Sequence, residues 1–153
     1  MGKASINAFM QLFGILGIIG SLIFVGIEMR QSQRIAIAGQ QQGRAEIASN
    51  FMSAFLENGL DFQTVYFRQD PNQGFTYEEI ACRNMMHNSW FLYENDFYQY
   101  TQGLMDDATW SAKLSGIQII YDFCEAREIY DARSPIFSEA FRAVVLSLPD
   151  KCA

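Results

Sequence analysis

One histidine in 153 residues makes His87 the first place to look for chemistry. On a helix it has Arg83 at i−4, Phe91 at i+4, Glu94 at i+7 and Tyr98 farther along the same side. If that face is buried, Arg83, His87, Trp90, Glu94 and Phe97 form a pocket for a ligand, with a histidine whose pKa can be moved towards a task. The favoured expectation is plainer: a half-exposed histidine on an aromatic-rich helix, with Glu94 solvated two turns away. Other chemistries lack their parts. A carboxylate-bridged di-iron site needs paired Glu-x-x-His motifs, and the only histidine has no Glu three residues before it. Cys82 and His87 cannot hold zinc alone. Five residues apart, they also sit at an awkward helical angle for proton transfer. No nucleophile elbow, oxyanion loop or Gly-rich phosphate loop is apparent. The sequence therefore predicts no catalytic residue, cofactor or metal ligand, and a protein that is not an enzyme.

The stretch that must carry everything else is Ala4 to Ile27, which contains no charged residue. At about 1.5 Å per residue it makes a helix of roughly 36 Å, enough to cross a hydrocarbon core of about 30 Å with some tilt. Lys3 marks one boundary; Glu28 and Arg30 mark the other. Gly14, Gly17 and Gly20 recur every three residues, and Gly17 with Ser21 forms a small-xxx-small pair. Such residues let a second helix approach closely in lipid, where packing drives association. A cleaved signal peptide ending at Ala36-Ile37-Ala38 is the competing reading. It is disfavoured because the apolar run exceeds about 15 residues and the site lies well beyond it.

Residues 1–49 carry four basic and two acidic side chains, a net of +2, and residues 50–153 carry seven basic and fifteen acidic, a net of −8. An acidic head is repelled by phosphate backbones, which excludes nucleic acid as a partner. Its surface, notably Asp122, Glu125 and Glu128, is expected to be a solvated face. Arg30, Arg34 and Arg44 follow the span while Lys3 and the amino terminus precede it, so the C-terminal domain is expected in the cytoplasm. Cys82, Cys124 and Cys152 are odd in number and lack metal spacing, which fits reduced thiols.

The rest reads as helix. No Pro or turn cluster interrupts residues 31–58, where Ile35, Ala38, Gln42, Ala45, Ser49, Met52 and Leu56 make a narrow stripe of mostly small residues. It suits packing in a bundle or a coiled coil between copies, although Gly39 and Gly43 weaken the helix. Asn58-Gly59 is a C-cap, and a short helix over 61–68 and an Asp70-to-Gly74 turn follow. Thr76 to Glu79 has capping-box spacing, opening a helix to about Gln102 that stops at Gly103. Its stripe is Met86, Trp90, Tyr93, Phe97, Tyr100 and Leu104. Asp106 or Asp107 caps the next helix, whose face is Trp110, Leu114, Ile117, Tyr121 and Cys124, with Gly116 a place where it could divide. Ser134-Pro135 ends this region. A last helix from about Ser138 buries Phe141, Val144, Val145 and Leu148. The aromatic residues are expected to fill a core, and the fold to be all-α: a transmembrane helix (1–30), a helical stalk (31–58) and a soluble helical domain (59–153).

Four segments carry a resemblance. They are Leu22 to Gln31, where the span exits into Arg-Gln; Phe91 to Asn95 with Tyr98 to Tyr100; Gly103 to Trp110; and Phe137 to Arg142. Together they resemble a widespread bacterial family of short, uncharacterised proteins with one N-terminal membrane helix and an all-helical C-terminal domain. Glu28 departs from the Gln associated with that position. The resemblance implies architecture and membrane attachment, and no activity. The expectation is a single-pass protein of the bacterial inner membrane, in contact with the lipid bilayer, acting as an accessory subunit or self-associating scaffold. Its partner would be another protein or a homo-oligomer. The alternative is a membrane-tethered sensor binding a lipid or small apolar ligand among the aromatic residues.

Overall fold

The computed structural model describes residues 3–67 and 74–152, so most of the Asp70-to-Gly74 turn and Arg68 lie outside the described residues. Six α-helices are present among them: α1 (Lys3–Glu57), α2 (Phe62–Tyr66), α3 (Tyr77–Thr101), α4 (Asp107–Tyr121), α5 (Arg127–Arg133) and α6 (Glu139–Leu146). Single 3-10 turns at Cys124–Ala126 and Ser134–Ile136 precede and follow α5. No strand occurs among the described residues, and the fold is all-α.

Local chemistry sets the helix ends. Gly59 and Gly103 have φ of 62° and 70°, the left-handed region that glycine enters without a Cβ penalty. Each closes its helix with paired back-bonds: Gly59 N to Leu56 O (3.0 Å) with Leu60 N to Phe55 O (2.9 Å), and Gly103 N to Tyr100 O (2.9 Å) with Leu104 N to Gln99 O (3.0 Å). At the start of α3 the Thr76 amide donates to Glu79 Oε2 (2.7 Å) and the Glu79 amide donates to Thr76 Oγ1 (3.3 Å). Asp106, rather than Asp107, caps α4, accepting from Thr109 N at 2.9 Å. Ser138 caps α6.

The chain divides into two compact units, Met1–Ile37 and Ala38–Ala153. In the first, every large apolar side chain from Ile6 to Met29 is exposed. In the second, residues 38–57 of α1 belong to the domain rather than forming a separate stalk. Ala38, Ala45 and Met52 are buried. Ser49 Oγ donates to Asn88 Oδ1 (2.7 Å), Asn95 Nδ2 to Gln42 Oε1 (2.8 Å) and Gln99 Nε2 to the Ala38 carbonyl (3.0 Å). The small-residue stripe is thus spent within the chain, against α3. Gly39 and Gly43 do not interrupt α1.

The aromatic core lies where α3, α4, α5 and α6 meet. Trp90, Trp110, Ile117, Tyr121, Ile129, Tyr130, Phe137, Phe141 and Val145 are buried, with Met86, Tyr93, Phe97, Tyr100, Leu114, Val144 and Leu148 packed on them. Leu104, the end of the expected α3 stripe, stays exposed beyond the cap. Gly116 does not divide α4. A Cβ there would run into the Tyr93 ring, 3.0 Å from Cζ and closer still to Oη, so the glycine makes room for the tyrosine.

The cysteines depart from expectation. Cys124 and Cys152 form a disulfide, with Cα atoms 5.4 Å apart, and only Cys82 is free. Ion pairs hold the same tail: Arg127 donates to both Asp150 oxygens at 2.8 Å, and Lys151 Nζ lies 2.8 Å from Asp122 Oδ2. The Arg127 hydrogen bond, then that of the Cys152 amide, lower the Asp150 carboxyl to about 2.

Gly116→Ala is expected to destabilise the domain by about 1–3 kcal/mol, as overpacking does. Adding Tyr93→Phe, which removes the nearest clashing atom, should recover part of the loss. Urea midpoints at constant m-value measure both.

Candidate functional site

Helix α3 carries a polar face opposite to its aromatic one, and α2 is folded onto it by short-range bonds. Asp61 caps α2 by accepting from Thr64 N at 2.8 Å. Asn84 ties the link between α1 and α2 to α3: its Oδ1 accepts from Phe62 N (2.9 Å) and its Nδ2 donates to the Leu60 carbonyl (2.8 Å). Asn84 is 2% exposed, and its bond to the Phe62 amide satisfies a donor buried with it.

Arg83, beside Asn84, is also buried. Its Nε donates to Asp61 Oδ2 at 2.7 Å, its Nη1 pairs with Glu128, and its guanidinium lies over Phe75, 4.2 Å from the centroid. Burial raises the Asp61 carboxyl, but hydrogen bonds from Arg83 and Thr64 more than offset it and leave the pKa below the usual carboxylate value. For Arg83 burial acts downwards and the two carboxylates outweigh it, so the pair stays ionised. A cleft of about 320 Å³ opens beside it, lined by Phe75, Glu79, Cys82, Phe123, Glu125 and others.

His87 is fully buried, not half-exposed. The reason is α2 and the residue after it: Phe62 and Phe67 cover the imidazole at 4.8 and 6.2 Å between ring centres, and Nε2 lies 3.2 Å from Gln63 Oε1. With the proton on Nε2, Nδ1 faces no partner. Burial, then the charges of Arg133 and Arg83, push the pKa down to about 3. A neutral, enclosed imidazole packs and donates one hydrogen bond; it does not exchange protons near pH 7.

The other residues of the sequence-derived pocket lie in different settings. Trp90 and Phe97 belong to the aromatic core. Glu94 Oε1 accepts from the Ser138 amide at 3.0 Å, holding the start of α6. Arg83, His87, Trp90, Glu94 and Phe97 therefore share a helix and not a single cavity. In the first unit, Gly14, Gly17 and Gly20 have open space where a Cβ would stand. Among the described residues no three His, Cys, Asp or Glu side chains could hold a metal ion.

Sequence reasoning passed over Arg133. This residue is 1% exposed and takes part in no ion pair or hydrogen bond among the described residues; Nε and Nη1 are enclosed without partners. Its guanidinium lies 3.6 Å from the Phe91 centroid and 5.7 Å from that of Phe137. Burial lowers its pKa to about 10, opposed by the charge of Glu94. A basic residue ending a short helix reads as solvated, and nothing in its neighbours warns otherwise. Asn84, Asn88 and Asn95 did offer a signal. Together with His87 they repeat at helical spacing, and a neutral polar stripe on one face asks for buried partners. Comparison with protein families, curated proteins and solved structures finds no match for this chain.

The unfolded chain takes up a proton on His87 near pH 6.5, whereas the folded domain refuses it until about pH 3. Stability present in full above pH 6.5 is therefore lost as the pH falls, by up to about 1.4 kcal/mol per unit. Between pH 7.5 and 5, above the titration range of the carboxylates, denaturation midpoints should fall, and His87→Gln should flatten that slope.

Proposed function

We propose that the chain is a non-enzymatic, single-span membrane protein, acting as an accessory subunit or scaffold in a membrane complex. The observation that carries this reading is the exposure of every large apolar side chain between Ile6 and Met29. Among the described residues one helix is long and apolar enough to cross a membrane, and its apolar window is unburied. Such a surface is far larger than a soluble monomer exposes, and lipid satisfies it without further contacts. Gly14, Gly17, Gly20 and Ser21 add a small-residue face with unfilled space, which suits a second helix in the bilayer. That helix comes from another protein or a second copy. A bacterial inner membrane is the setting that the family resemblance implies.

A lipid or small apolar ligand among the aromatic rings finds less support. The rings occupy one another's faces: Trp90 meets Tyr130 at 5.2 Å and Phe137 at 5.7 Å, Phe97 meets Trp110 at 5.7 Å, and Tyr100 stacks on Trp110 at 5.0 Å. As to the side of the membrane, the Cys124–Cys152 bond supports the oxidising face for residues 38–153. This departs from the cytoplasmic side expected from the arginines. Their excess over Lys3 and the amino terminus is small, and a folded domain crosses with little regard to such charges.

Replacing Gly17 and Ser21 together by Ile should lower self-association or partner recovery by about tenfold, since close helix approach is lost while the apolar length is kept. A membrane two-hybrid reporter measures it, and unchanged association sinks the reading. Alkaline phosphatase fused after residue 152 should be active, and reduction should slow the chain on a denaturing gel. An inactive fusion with no shift returns the domain to the cytoplasm.

A further inference from the structure

Residues 149–152 run as a strap past the C-terminal end of α4 and the start of α5. Helix α6 ends at Leu146, and Leu148 still packs on the aromatic core. Beyond it Pro149, Asp150 and Lys151 are exposed. What fixes them is polar or covalent. Arg127 grips both Asp150 oxygens, the Tyr121 hydroxyl donates to Asp150 Oδ2 at 3.3 Å, and the Cys152 amide donates to Oδ1 at 2.8 Å. Gln118 Nε2 donates to the Pro149 carbonyl at 2.9 Å, and Lys151 pairs with Asp122. The Cys124–Cys152 bond joins the strap to the 3-10 turn after α4.

These contacts differ in what they contribute. Ordering each strap residue costs backbone entropy, and fixing Lys151 costs side-chain entropy as well. Exposed ion pairs return little of this, and less as salt rises. The strap buries little apolar surface to make up the difference. The polar contacts therefore orient it, and the disulfide keeps it in place. Cys124 is exposed and Cys152 half-buried, so the bond stands where a solvent thiol meets it.

We propose that residues 149–152 are a redox-controlled strap, held by the Cys124–Cys152 bond and released when a dithiol reduces it. One thiolate of the dithiol attacks Sγ of Cys124, the more exposed residue of the pair, and Cys152 leaves as a thiolate that takes up a proton. The second thiol of the dithiol then attacks the mixed disulfide and frees Cys124. Two electrons and two protons pass to the cysteines, and the dithiol becomes a disulfide. With the bond gone the strap leaves, and Gln118, Tyr121 and Arg127 lose Pro149 and Asp150 as partners. The core stays closed, because Phe141 and Val145 are buried in it whether or not the strap is bound. The device does not rest on the partner or scaffold role proposed above.

Isotope-labelled full-length protein in detergent micelles tests the proposal, before and after treatment with dithiothreitol. On reduction the amide order parameters of Lys151 and Cys152 should fall from about 0.8 to below about 0.6, with tryptophan emission unchanged. Cys124→Ser combined with Cys152→Ser should show the released values without reductant. Equilibration with graded dithiothreitol gives the effective concentration of the cysteine pair. Asp150→Asn should lower it about fivefold, because the ion pair then favours the oxidised chain alone. A strap docked in both states feels the substitution equally, and the effective concentration stays put. Order parameters unchanged on reduction overturn the proposal, as does an effective concentration indifferent to Asp150→Asn. So does a red shift of tryptophan emission on reduction, which makes the bond a support of the whole domain. Protein isolated in air with three free thiols overturns it outright.

Discussion

The indole of Trp90 is the point on which the C-terminal half of the domain closes. It is 1% exposed and meets rings from three later segments: Tyr130 of α5 at 5.2 Å, Phe137 at 5.7 Å and Phe141 of α6 at 6.5 Å. None of these segments is long. α5 has seven residues and α6 eight, lengths at which a helix in isolation is marginal. They are held because one large side chain on a 25-residue helix gives each of them a surface to bury. Tyr130 and Phe137 also touch each other at 6.3 Å, so the set behaves as one cluster.

A hydrophobic seam on one side of α3 leaves its other side to polar work. There the buried groups act mostly as fasteners. Asn84 holds the entry to α2, Asp61 with Arg83 ties α2 to α3, and Glu94 meets the start of α6. These bonds have direction, which aromatic packing lacks, and so they fix where the short elements begin. His87 Nδ1 and Asn95 Oδ1 are the atoms of this face left without a partner among the described residues.

How far the fold could be read from the sequence follows the range of the interactions. The Thr76–Glu79 box, the glycines at 59 and 103 and the start of α6 at Ser138 are set by residues within a turn of each other, and each was legible. The aromatic stripe of α3 was legible too, because a repeat of three and four residues needs no knowledge of the partner. His87 was misjudged because its burial depends on Phe62, Gln63 and Phe67, residues of a five-residue helix with no strong pattern of its own. The Cys124–Cys152 bond spans 28 residues, and the cysteines meet only because the tail returns past α6 to Asp122 and Arg127. Arg133 carried no local sign of burial. For Gly116 the helix-weakening tendency was visible, but the tyrosine it accommodates is on another helix.

Both tryptophans of the chain, Trp90 and Trp110, are buried in residues 38–153, and the apolar segment before Ile37 has none. Emission from the indoles therefore follows the domain alone. Far-ultraviolet circular dichroism weighs every helical peptide bond, including the long apolar run. The two optical signals divide along the boundary between the units. When the domain melts in a membrane mimic, tryptophan emission will shift to the red while a large helical signal persists, so the fold of one unit can be followed in the presence of the other without cutting the chain.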